Sequence, residues 1–132
     1  MSRLIPVIVC TTSRAHYLRI EQGLSDGNFT VAMASSIEEA NALIETAIFR
    51  SRRDSAPIVI LPEVLANGKR TAKLLEGMLK CQQHVHVILA DPSAPWNFRA
   101  YSEIPEDKRV RAMIARPPEA PAIIEMIRGI AC

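Results

Sequence analysis

Ile5-Pro6-Val7-Ile8-Val9-Cys10 is an unbroken apolar run rich in β-branched residues, and Thr11-Thr12-Ser13 follows it directly. A short apolar run without polar alternation reads as a strand buried on both faces. The hydroxyl-rich segment after it reads as a helix cap. The pattern then repeats along the chain. Arg14 to Leu24 predicts a helix with Tyr17, Leu18, Glu21 and Leu24 on one face, stopped by Ser25-Asp26-Gly27-Asn28. Phe29 to Ala34 reads as a second strand. Ser36-Ile37-Glu38-Glu39 is a capping box, and Ala40, Leu43, Ile44, Ala47 and Ile48 follow at helical spacing.

Pro57-Ile58-Val59-Ile60-Leu61 is the third strand, halted by Pro62. Asn67-Gly68 reads as a turn, and Leu74, Leu75, Met78 and Leu79 mark a helix beyond it. Val85 to Ala90 is the fourth strand and Val110 to Ala115 the fifth. Pro117-Pro118 opens a last helix with Ile123, Ile127 and Ile130 on one stripe. Buried strands alternating with amphipathic helices imply an α/β fold, a parallel sheet with helices on both faces.

The 132 residues suit one domain, 1–132, and no repeat or linker divides them. Sixteen Lys and Arg stand against fourteen Asp and Glu, a net charge of +2, too small to argue for nucleic acid. With 48% apolar and 23% charged residues, the chain has the composition of a folded globular protein. No apolar run approaches the ~18 residues of a membrane span, and the first residues carry no secretory h-region. Three cysteines at wide spacing, Cys10, Cys81 and Cys132, predict reduced thiols and a cytoplasmic setting.

A five-fold βα chain of this length resembles the receiver domain of two-component response regulators, which is flavodoxin-like. Ala34-Ser35-Ser36-Ile37-Glu38-Glu39-Ala40-Asn41-Ala42-Leu43 is similar to the receiver's exit from its second strand. Arg116-Pro117 falls where receivers carry Lys-Pro. The resemblance implies a five-stranded, doubly wound (βα)5 parallel sheet. It also implies a pocket whose phosphotransfer residues are altered here. Thr11 and Thr12 stand for the acidic pair that holds Mg²⁺, a hard cation that wants carboxylate oxygens. Pro62, or Glu63 with a slip of one residue, replaces the phosphoacceptor Asp. Ala90 replaces the switch hydroxyl, Arg116 the phosphate-binding Lys, and Met113 the aromatic switch residue. The resemblance therefore implies a pseudo-receiver, with a cis Arg116-Pro117 bond as receivers usually have.

Thr11, Thr12, Glu63, Ala90 and Arg116 are expected at the carboxyl ends of the strands, where α/β sheets take ligands. A small anion on Arg116, an internal Glu63–Arg116 pair, and a pocket kept only for packing are the three readings. Cys81-Gln82-Gln83-His84-Val85-His86 has a spacing open to a metal, which His16 could join through the fold, but a solvated strand start explains it more simply. Arg50, Arg52 and Arg53 read as cations at a helix C-terminus, and Lys69, Arg70 and Lys73 open the third helix. Trp96, Phe98 and Tyr101 are half of the six aromatics and lie beside Arg99. Aromatics with Arg are the types that anchor interfaces, so this segment, with Met113, is a candidate dimer or partner face. Covering the core is the alternative role.

No P-loop, G-x-G-x-x-G or nucleophile elbow occurs, and Ser13 with His16 lacks an orienting acid. The expected function is a non-phosphorylated signalling module, a homodimer bound to a protein of its pathway. It is expected to have no enzyme activity, no cofactor or metal, and no nucleic-acid or membrane partner. The alternative is a sensor of a small ligand or nucleotide using the strand-end crevice.

Overall fold

The computed structural model describes residues 5–11, 13–25, 29–51, 57–60, 68–81, 85–89, 108–112 and 120–131. The strands are β1 (Ile5–Cys10), β2 (Phe29–Ala34), β3 (Ile58–Ile60), β4 (His86–Leu89) and β5 (Val110–Ala112). The helices among the described residues are α1 (Arg14–Gly23), α2 (Ile37–Ser51), α3 (Gly68–Cys81) and α4 (Ala120–Ala131). All pairs are parallel, in the order β2-β1-β3-β4-β5. The register runs Ile5↔Phe29 to Cys10↔Ala34 on one side of β1, and Val7↔Ile58 to Val9↔Ile60 on the other.

Side chains alternate across a strand, so β1 feeds two separate cores. Ile8 and Cys10 join Val59 and Val87 under Ile37, Ala40 and Ile44 of α2 and Leu75, Met78 and Leu79 of α3. Val7 and Val9 join Ile58, Ile60 and Ile88 under Ile20 and Leu24, at α1, and Ile123 and Ile127 of α4. Helices therefore cover both faces, which is why the central strands carry no polar alternation. Every residue of β3 is buried.

Each helix follows from its local sequence. Ser13 is extended (φ −90°, ψ 108°), and its Oγ accepts from His16 N at 3.3 Å. This caps α1, whose backbone ladder starts with Tyr17 N to Ser13 O at 3.1 Å. Ser36 caps α2 in the same way, accepting from Glu39 N at 3.1 Å. In α4, Pro121 sits in the first turn, where its missing N–H costs nothing.

Several sequence readings need correction. Leu18 was expected on the buried face of α1 but is 37% exposed, and Ile20 is buried instead. From Tyr17 the inward stripe advances by three and then four residues, to Ile20 and Leu24, whereas Leu18 is turned about 100° away. Gly68, read as part of a turn, is already the first residue of α3. Leu61, Ala90, Met113 to Ala115 and Pro117-Pro118 lie outside the described residues, as does the Arg116-Pro117 bond. No described helix is long and apolar enough to cross a membrane.

Two arginines tie helix ends to distant parts of the chain. Arg128 of α4 donates from Nη2 to Gly23 O at 3.1 Å, and its guanidinium lies 5.5 Å from the centroid of the Phe29 ring. Arg109, just before β5, donates from Nη2 to Leu79 O at 3.0 Å. Each places a cation on a carbonyl in the last turn of a helix, where the dipole is negative. The Lys80–Glu76 pair at 3.1 Å is well exposed and contributes little.

Candidate functional site

In a parallel sheet the helix N-termini gather at the carboxyl ends of the strands, which is the edge expected to carry a site. Thr11 leaves β1 at this edge. Its N–H donates to Ala34 O at 2.9 Å, extending the β1–β2 ladder by one bond. The residue is 2% exposed, the only polar residue that is fully buried among those described. Its Oγ1 accepts from Ser13 N at 3.0 Å, forming a turn that leads directly into the α1 cap. The hydroxyls of Thr11 and Ser13 thus serve the backbone. Neither brings the negative charge that a Mg²⁺ site requires.

The start of α2 borders the same edge. Glu39 Oε2 accepts from Ser35 Oγ at 2.6 Å and from Ser35 N at 3.3 Å. These two bonds, the hydroxyl one foremost, hold the Glu39 carboxyl below its ordinary value. The capping box predicted from Ser36 and Glu39 is therefore present with one change. The carboxylate reaches Ser35, one residue before the cap, rather than Ser36. Glu38 and Glu39 place two carboxylates in the first turn of α2. An external anion at this helix end would compete with the chain's own charge.

Of the residues predicted for the pocket, the structure places Thr11 at this edge. Thr12, Pro62, Glu63, Ala90 and Arg116 lie outside the described residues. So do the interface candidates Trp96, Phe98, Arg99, Tyr101 and Met113, and His84 of the Cys81–His86 segment. His86 begins β4 at the opposite end of the sheet, with its N–H donating to Pro57 O at 3.1 Å. Among the described residues no group of three or more His, Cys, Asp and Glu could hold a metal. Cys10 is buried at the end of β1.

A second polar cluster lies between α1 and β2. Tyr17 Oη donates to Glu21 Oε2 at 2.6 Å and also faces Val31 O at 3.2 Å. The Tyr17–Glu21 spacing of four residues is visible in the sequence, but the partner on β2 exists only in the fold. Burial, then the hydrogen bond to Glu21, then the Glu21 charge push the Tyr17 phenol up to about 12, with Arg14 opposing. Tyr17 is raised above the 10.0 of a free phenol, so its stabilising contribution is complete below about pH 10. It is lost as pH climbs towards 12. An alkaline absorbance titration should show one phenol ionising near pH 12, a step that Tyr17→Phe removes. A wild-type titration complete by pH 11 would contradict this environment.

Three comparisons, with family models, curated proteins and solved structures, returned no match to the chain.

Proposed function

We propose that the chain is a receiver-like signalling module that works by binding a protein partner and is not phosphorylated. Thr11 is the observation that carries this reading. It sits at the end of β1 in a parallel sheet of order β2-β1-β3-β4-β5, an order compatible with a flavodoxin-like fold. A phosphorylatable receiver needs an acidic residue there to hold Mg²⁺, and here a buried hydroxyl is spent on the turn into α1. The packing of α1 and α4 on one face and α2 and α3 on the other supports the same reading.

The rest of the proposal rests on residue identity. Thr12 completes the uncharged pair, Pro62 has no nucleophile, and Ala90 has no hydroxyl. Glu63 would extend one methylene beyond an Asp, and an error of about 1 Å in position can cost on the order of a hundredfold in rate. The module has no enzyme activity and acts in the cytoplasm. It associates as a homodimer or with its partner through the aromatic segment of Trp96, Phe98, Arg99 and Tyr101.

Incubation with Mg²⁺ and a small phosphodonor tests the proposal. Phosphoryl attack needs a carboxylate nucleophile and a metal to neutralise the transferring oxygens. Mass spectrometry should find no acid-labile phosphate on the wild type. Pro62→Asp alone should not restore labelling, because Thr11 and Thr12 still hold no metal. Labelled wild-type protein would make the chain an ordinary response regulator. A rise in melting temperature with a nucleotide or small anion would favour the ligand-sensor alternative.

A further inference from the structure

Among the described residues β2 pairs on one side only, with β1. Its sequence, Phe29-Thr30-Val31-Ala32-Met33-Ala34, has no charge, no proline and no glycine. Six residues of this kind on an open edge are a template for strand addition by another chain. Sheets ordinarily blunt such an edge with Lys, Pro or a bulge in the strand. β2 has neither Lys nor Pro, and its register with β1 is unbroken over all six residues.

The direction of its main-chain groups follows from one bond. Thr11 N donates to Ala34 O, so Ala34 turns its carbonyl towards β1. Main-chain groups alternate along a strand. Ala32 and Thr30 therefore also face β1, whereas Phe29, Val31 and Met33 face outward. Val31 is the middle of the three, and its carbonyl is the one that Tyr17 Oη meets at 3.2 Å. The 2.6 Å bond to Glu21 fixes the phenol in that place. At the start of the strand, the Arg128 guanidinium lies over Phe29 and adds a cation beside the edge.

We propose that Tyr17 guards the outward edge of β2, open among the described residues, and prevents a second copy of this chain from adding its own strand there. The phenol hydroxyl bonds the Val31 carbonyl that the N–H of an incoming strand would need. An added strand would lose the centre of its ladder and keep only the outer bonds at Phe29 and Met33. The guard is supplied by a neighbouring helix, which leaves β2 free to be apolar enough to pack against α1 and α4.

Sedimentation velocity across a concentration series tests the proposal, with circular dichroism confirming that each variant is folded. Tyr17→Phe should associate beyond the wild-type state at about tenfold lower concentration, the scale of one hydrogen-bonding group. Glu21→Ala, which leaves the phenol to donate to Val31 O alone, should keep the wild-type onset. Adding Met33→Pro to Tyr17→Phe should return the onset to the wild-type value. It places a proline at an outward position without removing a bond to β1. A folded Tyr17→Phe chain that behaves as wild type would overturn the proposal. So would association that Met33→Pro leaves unchanged, because the contact would then lie elsewhere. If Tyr17→Phe does not fold, Tyr17→Leu, which also lacks the hydroxyl, decides in its place.

Discussion

Ile127→Ala should lower the unfolding free energy by about 2–5 kcal/mol, a large part of the ~5–15 kcal/mol that holds a domain together. Ile127 is completely buried and packs with Val7, Val9, Ile58, Ile60 and Ile88. Truncation removes three carbons from this cluster and leaves a cavity whose lining cannot fully collapse, because the sheet side is built from a rigid ladder. Ile44→Ala opens a similar hole in the other core, under α2. The sheet separates the two sites and they share no cluster, so their losses should add to within about 0.5 kcal/mol. Urea unfolding measures both. The midpoint should fall with little change in slope. A loss under 1 kcal/mol at Ile127 would mean that α4 does not seal this face.

The second large effect is a reversal of sign. Glycine to alanine within a helix ordinarily stabilises by about 0.5–1 kcal/mol. Gly77, in α3, has nothing within 4 Å of where a Cβ would stand, and Gly77→Ala should follow that rule. Gly23, the last residue of α1, should not. A Cβ there would overlap Ile124 Cδ1 and lie 3.0 Å from Ile124 Cγ1. Ile124 is β-branched and partly buried, so it must leave its rotamer or α1 and α4 must separate. Gly23→Ala should therefore destabilise by about 1–3 kcal/mol. Ile124→Val, which removes Cδ1, should recover much of that loss in the double variant. Equal melting temperatures for Gly23→Ala and Gly77→Ala would show that this approach is not tight.

Much of the fold is legible in the residues, because strand and helix periods are local properties. The run from Ile5 to Cys10 gives β1 with its limits, and Phe29 to Ala34 gives β2. Leu18 was misplaced because both it and Ile20 are apolar, and only the approach of β1 and α4 decides which turns inward. The caps at Ser13 and Ser36 could be read because their partners are three residues away. Arg109 and Arg128 could not be read as helix clasps, since their acceptors lie 30 and 105 residues away in the chain. The same holds for Tyr17 and Val31, 14 residues apart. At the candidate site, sequence identifies Thr11 as uncharged. That its hydroxyl is committed to Ser13 N depends on the backbone turn, which residue type alone does not specify.

The Arg128–Gly23 bond joins α4 to α1 across 105 residues, and this sets an order on the making of this fold. During synthesis β1, α2, β3 and α3 all precede α4, so the face built on Ala40, Ile44, Leu75 and Met78 can close early. The opposite face, with Val7, Val9, Ile58 and Ile60, must wait for Ile123 and Ile127. Until the ribosome has released α4, the nascent chain presents half of a finished core to its surroundings. Contacts of such long range form slowly, and exposed apolar surface is where chains meet one another wrongly. The arrival of α4 therefore ends the period during which this face of the new chain is open to wrong contacts.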